Sequence, residues 1–165
     1  MFENVDVQEA IKRSIQTEKY ARDFYLLCAK HMKNLDACRT FELLAAEEVE
    51  HAKTFYDIYQ RDDLPEFAEY MKLESAPDSD WLTDLEKALM EGLNERKAME
   101  LAMDKELKLE TALRNLAEKI SDVAVREVFI KNADSTHQHF ELIESEYARL
   151  MRMVHETDMD TYVRE

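Results

Sequence analysis

The sequence is poor in the residues that make tight turns. Its 165 residues include one Gly and two Pro. A sandwich, a barrel or a doubly wound sheet draws on Gly and Pro for its many reversals, and their scarcity argues against all three. Cysteine is nearly as rare. Cys28 and Cys38 are the only two, too few for a disulfide framework and wrongly spaced for a Cys-x-x-Cys metal or redox pair. No apolar run approaches the 18 or so residues of a membrane span. Basic residues are outnumbered, 22 against 37 acidic, giving a formal net charge of −15. Nucleic acids and anionic membranes select cationic surfaces, so neither is an expected partner. The first residues, MFENVDVQEA, lack the basic and apolar regions of a signal peptide, and a cytoplasmic location with reduced thiols is the expectation. What the chain has in quantity is 45% hydrophobic and 36% charged residues, the mixture of long amphipathic helices. Seven Tyr, seven Phe and nine Met are too much apolar bulk for a disordered acidic tail.

The apolar periodicity predicts four long helices. The first covers 6–32, with Val7, Ile11, Ser14, Glu18, Ala21, Tyr25, Cys28 and Met32 along one stripe in steps of three and four. The second runs from an expected N-cap at Asp36 to about Gln60, its stripe formed by Phe41, Leu44, Ala45, Glu48, Ala52, Phe55 and Tyr59. Residues 61–79 hold both prolines and lose the long period; they read as a crossover carrying a short helix over 65–71. A third helix starts at Ser79 or Asp80 and extends toward Lys119, with Gly92 as a candidate bend or end and its first part expected outside the bundle or against another subunit. Ser121 and Asp122 make a turn, and a fourth helix continues to about Glu156. Short, long and short connections give a single all-α domain, a ferritin-like four-helix bundle of two antiparallel pairs, 6–60 and 80–156, joined by the long crossover.

The two pairs resemble each other. A shift of 88 residues places Ala10 on Ala98, Glu18 on Glu106, Phe41 on Phe129, Ala45 on Ala133, His51 on His139 and Tyr59 on Tyr147 without a gap. A repeated helix pair implies a pseudo-two-fold axis through the bundle centre, where the matching polar positions converge.

Those positions carry the chemistry. Glu48 and His51 are three apart and share a helical face. Glu18, Glu48 and Glu106 interrupt otherwise apolar stripes on three helices. Buried carboxylates are costly unless protonated or paired, and no Lys or Arg falls in the central layer to pair them. A bound metal is the simplest neutraliser, and carboxylate with imidazole suits iron or manganese better than calcium.

The segments AIKRSIQTEKYARDFYLLCA, FELLAAEEVEHA, AMDKELKLETALRNLA and FIKNADSTHQHFELIESEY resemble the rubrerythrin-like branch of the ferritin-like di-iron superfamily. The resemblance implies a ligand set of Glu18, Glu48, His51, Glu106 and His139, with Glu106 bridging and the others terminal or chelating. It also implies a tyrosine beside the metals, which makes Tyr25 a candidate catalytic residue; the pattern alone reads Tyr25 equally well as a core aromatic. The activity implied is a non-haem di-iron oxidoreductase acting on peroxide or dioxygen.

The sequence departs from that pattern in informative places. The second Glu-x-x-His is Thr136-x-x-His139, and the position of an additional third-helix carboxylate is Leu109, with Glu110 one step round. No paired Cys-x-x-Cys accompanies the helices, so an external electron donor is expected. Three core Glu balance three of the four charges of two divalent ions. The site of Glu18, Glu48 and His51 is therefore expected to bind more tightly than that of Glu106, His139 and Thr136, which could hold another divalent metal. Asp134 could replace Thr136 only if the fourth helix turned by about 160°, exposing Phe129 and Phe140. Glu47, Glu50, His31, His137 and His155 read as solvated or capping, Met90, Met99 and Met103 as packing, Cys28 as core, and Trp81 as an anchor or interface residue. Two other functions compete: ferroxidase-type iron handling, and a degenerate, metal-poor helical interaction module. A homodimer is expected, with exposed Met and aromatic residues of the crossover at its interface.

Overall fold

The computed structural model describes residues 5–75 and 79–163, with side chains as far as residue 152. Pro77 and the side chain of His155 lie outside the described residues. Six helices follow in order: α1 (Val7–His31), α2 (Leu35–Ile58), α3 (Phe67–Lys72), α4 (Asp80–Met90), α5 (Glu95–Lys119) and α6 (Val123–Val163). No strand occurs among the described residues, and none of their helices is long and apolar enough to cross a membrane.

Side-chain caps set most of the helix starts. Asp6 accepts from the Glu9 backbone N–H at 3.1 Å, Asn94 from Lys97 at 2.9 Å, and Asp122 from Val125 at 3.1 Å. The expected cap at Asp36 is corrected: Asn34 caps α2, accepting from the Ala37 N–H at 3.0 Å, and Asp36 stands in the first turn, where its charge favours the helix dipole. The short crossover helix begins at Phe67 rather than Pro65: its first backbone bond runs from the Tyr70 N–H to the Glu66 carbonyl at 2.8 Å, while the Pro65 carbonyl accepts from the Tyr56 hydroxyl at 2.9 Å.

The third helix is broken rather than continuous. The chain leaves α4 through Gly92, whose φ of +93° lies in the region L side chains avoid, and re-enters helix at the Asn94 cap. The α4 segment lies outside the bundle against α1. Its buried Trp81 meets Phe24 edge-on, ring centroids 5.1 Å apart, and Leu85 is fully buried beside it. Met90, expected to pack, ends α4 exposed, while Met99 is buried as expected.

The bundle proper is α1, α2, α5 and α6. Each helix pair packs along its length, and the two pairs approach each other most closely through α2 and α6. Ile11, Ile15, Phe24, Phe41, Leu44, Phe55, Leu113 and Phe129 fill the interior; burying each such side chain is worth about 1.5–3 kcal/mol. The two buried lysines face away from the centre. Lys19 donates to Ser75 at 3.2 Å, and Lys105 donates to Asp84 and, at 3.3 Å, to the Asp80 carbonyl. Among the described residues, no Lys or Arg hydrogen-bonds or pairs with the three central glutamates.

Candidate metal centre

One side chain from α1, two from α2, one from α5 and one from α6 converge in the bundle interior. Glu18, Glu48 and Glu106 are fully buried, and His51 and His139 nearly so. The two imidazoles stack, centroids 4.9 Å apart and 9° from parallel. Both turn Nδ1 inward. His51 Nδ1 lies 3.5 Å from Glu18 Oε2 and 3.5 Å from Glu48 Oε2. His139 Nδ1 lies 2.9 Å from Glu48 Oε1 and 3.6 Å from Glu106 Oε1. Ligand atoms of Glu48, His51 and His139 all fall within 4.8 Å of one another, the spacing of groups that can share an ion.

Glu48 is therefore the central carboxylate, one oxygen toward each imidazole. Of the other two glutamates, Glu106, the residue expected to bridge, lies near His139, and Glu18 lies near His51. The two halves are more alike than the charge arithmetic suggested: each has one histidine, one glutamate of its own and a share of Glu48.

The hydrogen bonding inside this group is incomplete. Both oxygens of Glu18, both of Glu48, one of Glu106 and both inward Nδ1 atoms are buried with no hydrogen-bond partner. His139 Nδ1 and Glu48 Oε1, 2.9 Å apart, form an ion pair only while the ring is protonated. Buried polar atoms are almost always satisfied, and seven unsatisfied ones gathered in one buried group, three of whose residues lie within 4.8 Å of one another, are what a cation's ligands look like. Oxygen and imidazole donors in this ratio fit iron or manganese, so the residues present fit the metal that the sequence implied.

Burial and mutual charge shift the ionisation of the same group. Burial pushes the Glu18 carboxyl well above its usual range, and the charge of Glu48 pushes it further. Burial also raises Glu106, again helped by Glu48. For Glu48 burial acts upward too, but contacts with Glu18, His139 and His51 outweigh it and hold it below the ordinary value. Burial opposes charging of the two imidazoles, yet Glu18 and Glu48 lift His51 to about 10, and Glu106 and Glu48 lift His139 to about 11. Metal binding at such a centre displaces protons.

Tyr25 is buried with its hydroxyl donating to Glu106 Oε1. Its ring stacks on Phe41 at 5.9 Å and meets Phe24 edge-on at 5.2 Å, so both readings of this residue, core aromatic and neighbour of the acidic centre, describe it. Burial, then the charges of Glu106 and Glu48, keep the phenol well above its normal range and hence protonated. Thr136 is buried, and its hydroxyl donates to the Asn132 carbonyl at 2.7 Å. Asp134 is exposed and paired with Arg114, so α6 keeps the rotation that buries Phe129. Glu110 faces His137 at 2.9 Å and Arg114 at 2.8 Å, away from the centre.

Two neighbours escaped the sequence reading. Glu47, expected to be solvated, is half-exposed but accepts from His139 Nε2 at 2.5 Å. Ser135 meets His51 Nε2 at 2.7 Å. The signal was present: each residue lies four before a histidine, and the 88-residue shift maps Glu47 onto Ser135. Each contact crosses to the histidine of the other half, which a single helix does not show. The two imidazoles, with Glu47, Glu50, Ser135, Gln138 and Leu142, line a cavity of about 340 Å³.

A sequence profile described as Rubrerythrin matches residues 9–147, most of the chain and all four bundle helices. The chain belongs to the rubrerythrin family. No curated protein matches the sequence. Within the family framework the cluster of Glu48, His51 and His139 is a possible metal site of a di-iron protein, and Thr136 stands where the 88-residue shift places the counterpart of Glu48.

Proposed function

We propose that this rubrerythrin-family protein is a non-haem di-iron oxidoreductase acting on peroxide or dioxygen, with electrons supplied by an external donor. The observation that carries the proposal is the set of seven buried, unpartnered oxygen and nitrogen atoms around Glu48. Glu18 and His51 would hold one ion and Glu106 and His139 the other, with Glu48 shared between them. Bound iron would supply the electrons that reduce an O–O bond.

The chain's own residues prepare that chemistry. Stacking fixes the imidazole planes, and contacts at both Nε2 atoms keep Nδ1 inward. Phe41, Phe55 and Phe129, all fully buried, give the bundle interior apolar surface, and the three glutamates are themselves closed off from solvent. Tyr25 holds a proton at its hydroxyl, aimed at Glu106, and is positioned to stabilise charge on that carboxylate. Thr136 brings no negative charge where Glu48 has its counterpart, which leaves room in the charge balance for a small anionic ligand.

The test is peroxide consumption by iron-loaded protein with a chemical or protein reductant. Turnover that depends on iron and is lost in Glu48→Gln supports the proposal. A second reading, ferrous-iron handling, is favoured by the acidic rim formed by Glu47 and Glu50 over the histidines, since such a rim attracts cations. Ferrous oxidation without reductant-coupled peroxide turnover, or loading far beyond about two ions per chain, would select that reading.

A further inference from the structure

We infer that Glu47 and Ser135 are positioning residues that make the two metal sites unequal, so that the site at His139 binds a divalent cation more tightly than the site at His51. The inference rests on the metal-binding reading of the centre and goes beyond it.

The geometry is reciprocal and the chemistry is not. Glu47 and His51 are four apart on α2, as Ser135 and His139 are on α6. Each helix reaches across to steady the histidine of the other: Glu47 Oε2 stands 2.5 Å from His139 Nε2, and Ser135 Oγ stands 2.7 Å from His51 Nε2. In both rings Nδ1 is the atom that faces the buried glutamates. A neutral imidazole that ligates through Nδ1 must carry its proton on Nε2 and donate it outward. At His139 that donation goes to a carboxylate, giving a short, charge-assisted hydrogen bond that fixes the ring and makes Nδ1 a stronger ligand. At His51 it goes to a hydroxyl, which carries no charge and can turn to donate or accept.

The rest of the centre does not cancel this difference. Glu48 is shared, one oxygen to each ring. Glu18 and Glu106 match in number and in burial. The hydroxyl of Tyr25 occupies one oxygen of Glu106 and leaves the other without a partner. Glu47 thus gives the His139 half one carboxylate that the His51 half lacks, and that group is within direct reach of the ligand ring. Partners of this kind change metal affinity by about 10–100-fold when removed.

The experiment is a stepwise titration of the full chain with Co(II), read by its visible absorbance, with anomalous scattering from crystals at sub-stoichiometric loading to assign each step. Two unequal steps are expected, the tighter one at His139. Glu47→Gln should weaken that step by roughly 10-fold or more and leave the other in place. Ser135→Asp should strengthen the step at His51 by a similar factor, a gain that a purely structural role does not produce. Wild-type isotherms in both variants, or first occupancy at His51, overturn the inference while leaving the metal centre intact. Failure of the unmodified chain to take up any cobalt or iron overturns the metal-binding reading itself. Melting curves of both metal-free variants separate misfolding from altered affinity; should Glu47→Gln misfold, Ser135→Asp alone decides.

Discussion

His51 and His139 stand ring to ring, 4.9 Å between centroids, with the same nitrogen turned to the same glutamate. Because Glu48 answers both, it is the one ligand whose loss is not confined to one half. Glu48→Gln keeps the volume and removes the charge; it should lower affinity for both ions by at least about 100-fold. Glu18→Gln should weaken chiefly the His51 step, and Glu106→Gln chiefly the His139 step. Iron content of protein loaded in parallel checks the contrast, which disappears if the ions are held elsewhere.

The metal-free protein should lose stability as pH rises. His51 and His139 have folded-state values of about 10 and about 11, above the ordinary 6.5. A group whose value is raised by folding stabilises the fold fully below its unfolded value and ceases to do so as pH climbs through its folded one. Their contribution should therefore fade from pH 6.5 up to about 10 or 11. Glu18 and Glu106 are raised as well and act in the same direction above 4.5. Glu48 is lowered, so its contribution is present above 4.5 and is lost as pH falls further. Melting of chelator-treated protein should be highest near pH 5–6 and decline toward pH 9. Metal at a hundredfold excess over Kd adds about 2.7 kcal/mol, or roughly 5–10 °C, for a domain of this size. That gain should be larger at pH 8 than at pH 6, because fewer protons compete.

Tyr25→Phe should keep the ring packing against Phe41 and Phe24 and remove the hydroxyl. Glu106 Oε1 then loses its donor in a buried place, which costs about 1–3 kcal/mol. The loss should appear in denaturant melts of the metal-free chain and shrink when the centre is loaded, because a cation then satisfies the carboxylate. An equal loss in both states would mean the hydroxyl serves packing alone.

Phe129→Ala tests the apolar interior of the bundle. Phe129 is fully buried and meets Phe55 edge-on at 4.9 Å. Truncation should cost about 3–5 kcal/mol, seen as a lower urea midpoint with an unchanged m-value.

Gly92→Ala tests the break between α4 and α5. A Cβ there would meet nothing within 4 Å, so any penalty comes from the backbone at φ +93°. About 1 kcal/mol is expected, read as a small fall in melting temperature with metal uptake unchanged.

Much of this was legible in the residues. Stripes with steps of three and four gave the bundle helices because burying an apolar face requires that period, and Glu18, Glu48 and Glu106 stood out because charge is rare inside such stripes. The repeat paired His51 with His139 before any coordinates did. What escaped depends on relations between helices. Glu47 and Ser135 look like surface positions on their own helices, and only the approach of α2 to α6 turns them toward the opposite ring. The sharing of Glu48 is likewise a matter of depth along two helices, which periodicity does not encode. The break at Gly92 was a matter of degree: a lone glycine in a helix is tolerated, and the Asn94 cap, which makes the break complete, passes unnoticed among so many polar residues.

The crossed contacts of Glu47 and Ser135 carry a consequence for assembly. Each ring meets glutamates of its own hairpin through Nδ1, but is steadied at Nε2 only by the other hairpin. Local helix pairing is expected to precede the long-range joining of the halves, so both hairpins can be complete while the centre is still unformed. An ion that arrives early finds Glu18, Glu48 and His51 on one hairpin, or Glu106 and His139 on the other, with neither ring yet held at Nε2. Firm capture waits for the halves to dock, and once made it fastens them together like a rivet driven through two plates.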